Sequence, residues 1–118
     1  MKIAMLMIGV ATVYTGPVGN PLYCDRWDTE WMYDEAMMPW VALDVNLYRM
    51  GAVECGDPVR LTFEDGRELQ ARALDAGRFR GHYVEQWGGH RPIVVDVPAH
   101  LAPFPGWSAP VQMELGTR

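Results

Sequence analysis

With 118 residues the chain is long enough for one domain with a proper core, and it needs neither metals nor many disulfides to fold. Its apolar fraction of 49% is ordinary for a globular protein, and no low-complexity tract points to disorder. A formal charge of -5, with Lys2 the only lysine and the arginines spread singly, argues against a nucleic-acid surface.

Met1-Lys2 followed by Ile3 to Ile8 looks like the start of a secretory signal, but the apolar run is short. It passes directly into Val10-Ala11-Thr12-Val13-Tyr14-Thr15-Gly16, so residues 3–15 are expected to form a first long strand. No stretch reaches the length of a transmembrane helix. Gly16-Pro17-Val18-Gly19-Asn20-Pro21 breaks the strand. From Leu22 to Pro39 the chain is polar and aromatic, with Trp27, Trp31 and Tyr33 among five acids. Thr29 is suited to cap a short helix over Glu30 to Met38, ending before Pro39. An insertion of this length in a compact domain is usually functional or covers a core edge.

Trp40 to Val45 reads as a short strand, and Asn46 to Gly56 as a connection with a helical turn around Leu47-Tyr48-Arg49-Met50. Pro58 to Phe63 alternates with Val59, Leu61 and Phe63 on one face. Glu64-Asp65-Gly66-Arg67 supplies a turn, and Leu69, Ala71 and Ala73 resume the alternation, which makes a β-hairpin. Asp75 falls on the same parity as Leu69, Ala71 and Ala73. Gly77 to Arg91 is a second long loop carrying Arg78, Arg80, His82, Tyr83, Trp87 and His90. Ile93 to Val97 has the composition of a buried strand, Pro98 to Phe104 suits one helical turn, and Val111 to Leu115 alternates as a closing strand. Six strands with one or two short helices and two long loops predict an all-β fold, a small barrel filling residues 1–118 as a single domain.

Cys24 and Cys55 are the only cysteines. They form either one disulfide, fastening the first long loop to the middle of the chain, or two reduced thiols, and spacing does not decide between these. Neither has a second Cys or His at ligand spacing, so no metal site is expected.

Three aspartates stand at or near strand ends: Asp44 after Trp40-Val41-Ala42-Leu43, Asp75 before Ala76-Gly77, and Asp96 between Val95 and Val97. An acid in a β-branched run is desolvated unless paired, hydrogen-bonded or protonated, so Asp96 is expected to have a raised pKa. The ordinary alternative is a strand-end aspartate capping a turn, which suits Asp75 best and Asp44 next. Trp27, Trp31, Trp40 and Trp87 either stack on sugar rings or cover a barrel end. Arg78 either pairs with Asp75, recognises a substrate carboxylate or is solvated.

The order strand, Tyr14-Thr15-Gly16, long loop, Ala42-Leu43-Asp44, Gly56-Asp57-Pro58-Val59 hairpin, Asp75-Ala76-Gly77, Val95-Asp96-Val97 resembles the double-psi β-barrels. Within them it is similar to the three-aspartate domains of lytic transglycosylases and to the rare lipoprotein A and expansin-like domains. The likeness covers nearly the whole chain. It departs from the three-aspartate pattern in its longer segment between Asp75 and Asp96 and in Arg78, which replaces a glycine. The histidine of rare lipoprotein A domains near the Asp44 position is also absent.

The resemblance implies a six-stranded double-psi β-barrel acting on a polysaccharide, peptidoglycan or another cell-wall glycan, without a cofactor. It implies Asp96 as general acid on the glycosidic oxygen, with Asp75 and Asp44 orienting or tuning it. A hydroxyl of the substrate would then close an anhydro ring, with no protein nucleophile. Tyr14, Thr15, Trp27, Trp87 and Arg78 are the candidate substrate-binding residues, and an extracellular, periplasmic or virion-associated setting follows from the family. Two other readings stand beside this enzyme: a non-catalytic, expansin-like carbohydrate-binding module, and a structural or virion assembly protein reusing the barrel.

Overall fold

The computed structural model of the chain describes residues 5–14, 23–24, 39–79, 83–84 and 91–116. Period-two alternation dictates most of what forms there. In β3 (Pro58–Phe63), Val59, Leu61 and Phe63 turn inward and Arg60 and Thr62 outward. The strand pairs with β4 (Glu68–Gly77) through the expected hairpin. Its turn uses Gly66 at φ 85°, the left-handed position where glycine escapes the Cβ penalty, and the Asp65 carboxylate accepts the Arg67 amide at 2.9 Å.

β1 (Met5–Tyr14), β2 (Trp40–Asp44), β6 (Arg91–Pro98) and β7 (Ser108–Leu115) complete a closed barrel of order β1–β7–β3–β4–β2–β6, with β6 pairing back onto β1. A two-residue strand, β5 (Tyr83–Val84), adds to β6. The pairs β1–β6 and β2–β4 are parallel and the rest antiparallel. The expected all-β, six-stranded barrel is therefore what the chain folds into. Among the described residues it carries a single helix, α1 (Val45–Arg49). The turn expected after β6 is present, with the Leu101 and Ala102 amides donating to the Pro98 carbonyl at 2.9 and 3.1 Å. The helix expected over residues 30–38 lies outside the described residues.

Ala11, Val41, Leu43, Leu61, Val95, Val97, Met113 and Leu115 fill the interior. Each large aliphatic side chain there contributes about 1.5–3 kcal/mol relative to exposure. At the closure between β1 and β6 the backbones come too close for a side chain. A Cβ on Gly9 would overlap the Pro92 carbonyl oxygen and sit 2.7 Å from Val94 Cγ1.

Cys24 and Cys55 form a disulfide, with Cα atoms 5.6 Å apart and a sequence separation of 31. Beside it, Asp57 is the one charged side chain fully buried among the described residues. Its Oδ2 accepts the Glu54 amide at 2.9 Å, and its main-chain carbonyl accepts the Ala73 amide of β4, also at 2.9 Å. Asp57→Ala leaves that part-buried amide without its acceptor and should lower the unfolding free energy by about 1–3 kcal/mol in urea titrations.

Candidate functional site: an acidic row on the outer face of the barrel

Register rather than loop geometry assembles the candidate site. Ala11 and Val95 pair facing inward, so the next pair, Thr12 and Asp96, faces outward. Leu43 pairs with Val95 inside, which places Ala42 opposite Asp96 outside. On the other side of β2, Val41 pairs with Ala73 inside and Ala42 with Asp75, a shift that leaves Leu74 as the extra residue of a β-bulge. The bulge corrects the parity read from sequence. Asp75 does not continue the inward series of Leu69, Ala71 and Ala73 but is turned out beside Ala42. Ser108 pairs with Thr12 on its other flank. A continuous row, Ser108–Thr12–Asp96–Ala42–Asp75, thus crosses five strands, about 19 Å at the usual inter-strand spacing. Asp44 lies on the same face, two residues further along β2 and paired with Gly77.

The three acids sit in different surroundings. Asp96 accepts the Thr12 hydroxyl on Oδ1 at 3.1 Å. Burial pushes its pKa up, the Thr12 bond opposes that, and the charge of Asp75 adds a smaller upward push. The Asp96 and Asp75 backbones are separated by β2, about 10 Å from strand spacing, so they act through space and do not share a proton.

Asp75 accepts the Tyr23 amide on Oδ1 at 3.0 Å, and its main-chain carbonyl accepts the Tyr48 hydroxyl at 2.7 Å. The Tyr23 and Tyr48 rings are 4.9 Å apart and tilted by 42°. Burial first, then the nearby Asp75, drives the Tyr48 phenol far above its usual pKa, so it remains a donor at any ordinary pH. Asp44 is the N-cap of α1, with Oδ1 3.5 Å from the Asn46 amide, the turn-capping role anticipated for it. No group of three or more His, Cys, Asp or Glu among the described residues is placed to hold a metal.

Asp44, Asp75 and Asp96 therefore share one face. Arg78 is exposed just past β4. Tyr14 pairs with Pro98 at the end of β1, its side chain outside the description. Thr15, Trp27 and Trp87 lie outside the described residues. Sequence reasoning did not single out Thr12, Tyr23, Tyr48 or Trp107. Trp107 is 72% exposed, and its carbonyl accepts the Val13 amide at 3.1 Å, one residue beyond Thr12. The outward parity of Thr12 in the first strand was the one available signal. A separate depression lined by Ile8, Phe63, Glu64 and Gln112 contains none of the three aspartates.

No protein-family model and no curated protein matches the chain. Among solved structures, the apo expansin of Clavibacter michiganensis superposes with a TM-score of 0.54 at 20% identity, covering 96% of this chain and 51% of that one. The chain shares its fold with this expansin. An Asp-to-Asn mutant of that expansin in complex with cellohexaose gives a TM-score of 0.54 at 18% identity over the same shares. The chain spans about half the length of these expansins. Neither neighbour is a lytic transglycosylase, so the part of the resemblance they support is the expansin-like barrel.

Proposed function

We propose that the outer face is a carbohydrate-binding surface of expansin type, taking a cellulose-like oligosaccharide along the row from Ser108 to Asp75 without cleaving it. The observation that carries this reading is the outward row itself, on a barrel sharing its fold with an expansin crystallised with cellohexaose. Sugar hydroxyls both donate and accept, and the row offers two carboxyl groups and two hydroxyls, with only the Ala42 methyl between the acids. Exposed Trp107, near the Thr12 end, supplies an aromatic surface for a sugar ring. Tyr14, Thr15, Trp27, Trp87 and Arg78 remain proposed substrate contacts. A disulfide suits an oxidising compartment, in keeping with a wall-directed protein.

Titration calorimetry with cellohexaose, together with pull-down on insoluble cellulose and on peptidoglycan, tests the reading. Saturable binding to cellohexaose with no new reducing ends is the expected result. Retention on peptidoglycan alone would replace the glucan, and binding to none of these glycans would end the proposal.

One observation favours a second reading, a peptidoglycan-cleaving enzyme with Asp96 as general acid tuned by Asp75 and Asp44. Burial holds Asp96 toward its protonated form, the state a general acid needs. That reading requires anhydro-muropeptide products from peptidoglycan and their loss in Asp96→Asn.

A further inference from the structure

Asp75 is gripped from two directions by residues that belong to neither β4 nor its strand partners. Its carboxylate accepts the Tyr23 amide at 3.0 Å and its carbonyl accepts the Tyr48 hydroxyl at 2.7 Å. The two rings meet at 4.9 Å, so the donors support one another. Tyr23 is held by its neighbour Cys24, whose buried side chain is bonded to Cys55. Cys55 in turn lies in a turn bolted to β4. The Asp57 amide donates to the Glu54 carbonyl at 3.0 Å, the Gly56 amide to the Ala73 carbonyl at 2.8 Å, and the Ala73 amide to the Asp57 carbonyl at 2.9 Å. A closed mechanical path therefore runs from β4 through the disulfide and Tyr23 back to Asp75, two residues further along the same strand.

Asp75 is also the acid whose direction the regular ladder does not fix, because the bulge at Leu74 re-aims it. A carboxylate beyond a bulge keeps several rotamers unless a neighbour selects one. We propose that the Cys24–Cys55 disulfide, acting through Tyr23 and Tyr48, positions the Asp75 carboxylate and so makes glycan binding on the outer face sensitive to reduction. The part concerning glycan rests on the binding function proposed above. In the switching step a dithiol attacks the Cys24–Cys55 bond through a mixed disulfide. Two electrons and two protons pass to the pair of cysteines as thiols, and the reductant closes to its own disulfide. Tyr23 and Tyr48 are positioning residues in this scheme, and Asp75 is the group that meets the sugar.

The test compares the oxidised protein, the protein treated with dithiothreitol, and Tyr48→Phe, each with and without Asp75→Asn. Amide hydrogen exchange without ligand should show that Tyr23 loses protection on reduction while the amides of β6 keep theirs. Cellohexaose affinity should fall by about 5–10-fold on reduction, the net size of one ordinary hydrogen bond. The loss should shrink to within about twofold in the Asp75→Asn background, where the aim of the carboxylate no longer matters. Tyr48→Phe keeps the disulfide and should give a smaller loss of about 3-fold, again only when Asp75 is present.

A Tyr23 amide that stays protected after reduction overturns the proposal. An equal loss of affinity with and without Asp75 also does so. Unfolding of the barrel on reduction moves the decision to Tyr48→Phe, and an unchanged affinity there overturns it. If the oxidised protein does not bind cellohexaose, the proposed function fails while the Tyr23 exchange result still decides the positioning claim.

Discussion

Asp96→Asn should raise the thermal stability of the protein at pH 7 and leave it unchanged at pH 3. Burial raises the folded-state pKa of Asp96 above its unfolded value, so the folded chain prefers the protonated acid. The stability from this preference is complete below the unfolded pKa of about 3.8 and is lost as pH rises through the folded value. Above the folded value the wild-type fold therefore carries a half-buried charge that asparagine removes, while the amide oxygen still accepts the Thr12 hydroxyl. The difference in melting temperature should open as pH rises from 3 and then level off. A variant less stable than wild type at pH 7 would refute this account of Asp96.

Asp96→Ala differs, because it removes the acceptor for Thr12 and the polar group at the centre of the row. Cellohexaose affinity is expected to fall about tenfold or more, near 1.4 kcal/mol. Stabilisation by asparagine alongside loss of binding with alanine is the pattern of a residue kept for function at some expense to the fold.

Gly9→Val should be the most damaging substitution in the barrel. The new side chain meets the Pro92 carbonyl and the Val94 side chain at the closure, and a backbone carbonyl cannot be moved aside without parting β1 from β6. Overpacking of this kind costs about 3 kcal/mol or more, a large share of the stability of a small domain. Gly66→Ala is the matched control. It occupies open space, strained only by its φ of 85°, and should cost about 1 kcal/mol. Urea unfolding of the two variants would decide the matter. Equal midpoints would show that the closure tolerates a side chain.

The parts of this fold that depend on short-range pattern were legible in the sequence. The Val59-Leu61-Phe63 alternation, the Asp65-Gly66 turn and the return through Ala71 and Ala73 give the β3–β4 hairpin its register. The apolar setting of Asp96 pointed to a raised pKa, and the burial of that carboxyl accounts for it. Asp75 was misread because a bulge adds one residue without changing composition, and one residue reverses the face of everything after it. Thr12 was missed because its value comes only from the parallel pairing that brings it to Asp96, 84 residues away. Tyr23 and Tyr48 were missed for a related reason. They approach Asp75 from separate segments, and no periodicity links residues 23, 48 and 75.

That parallel seam has a consequence for how the chain comes into being. Thr12 leaves the ribosome long before Asp96, its bonding partner 84 positions later, and β1 completes both of its pairings only with β6 and β7. During synthesis the run from Met5 to Tyr14 waits as an unpaired, largely apolar strand, the kind of segment that sticks to other nascent chains. The hairpin of β3 and β4, built from local contacts, is free to form first, ahead of the long-range pairings of β1 with β6 and β7. Maturation should be slow for a domain of this size, with the binding face appearing only once β1 has found β6.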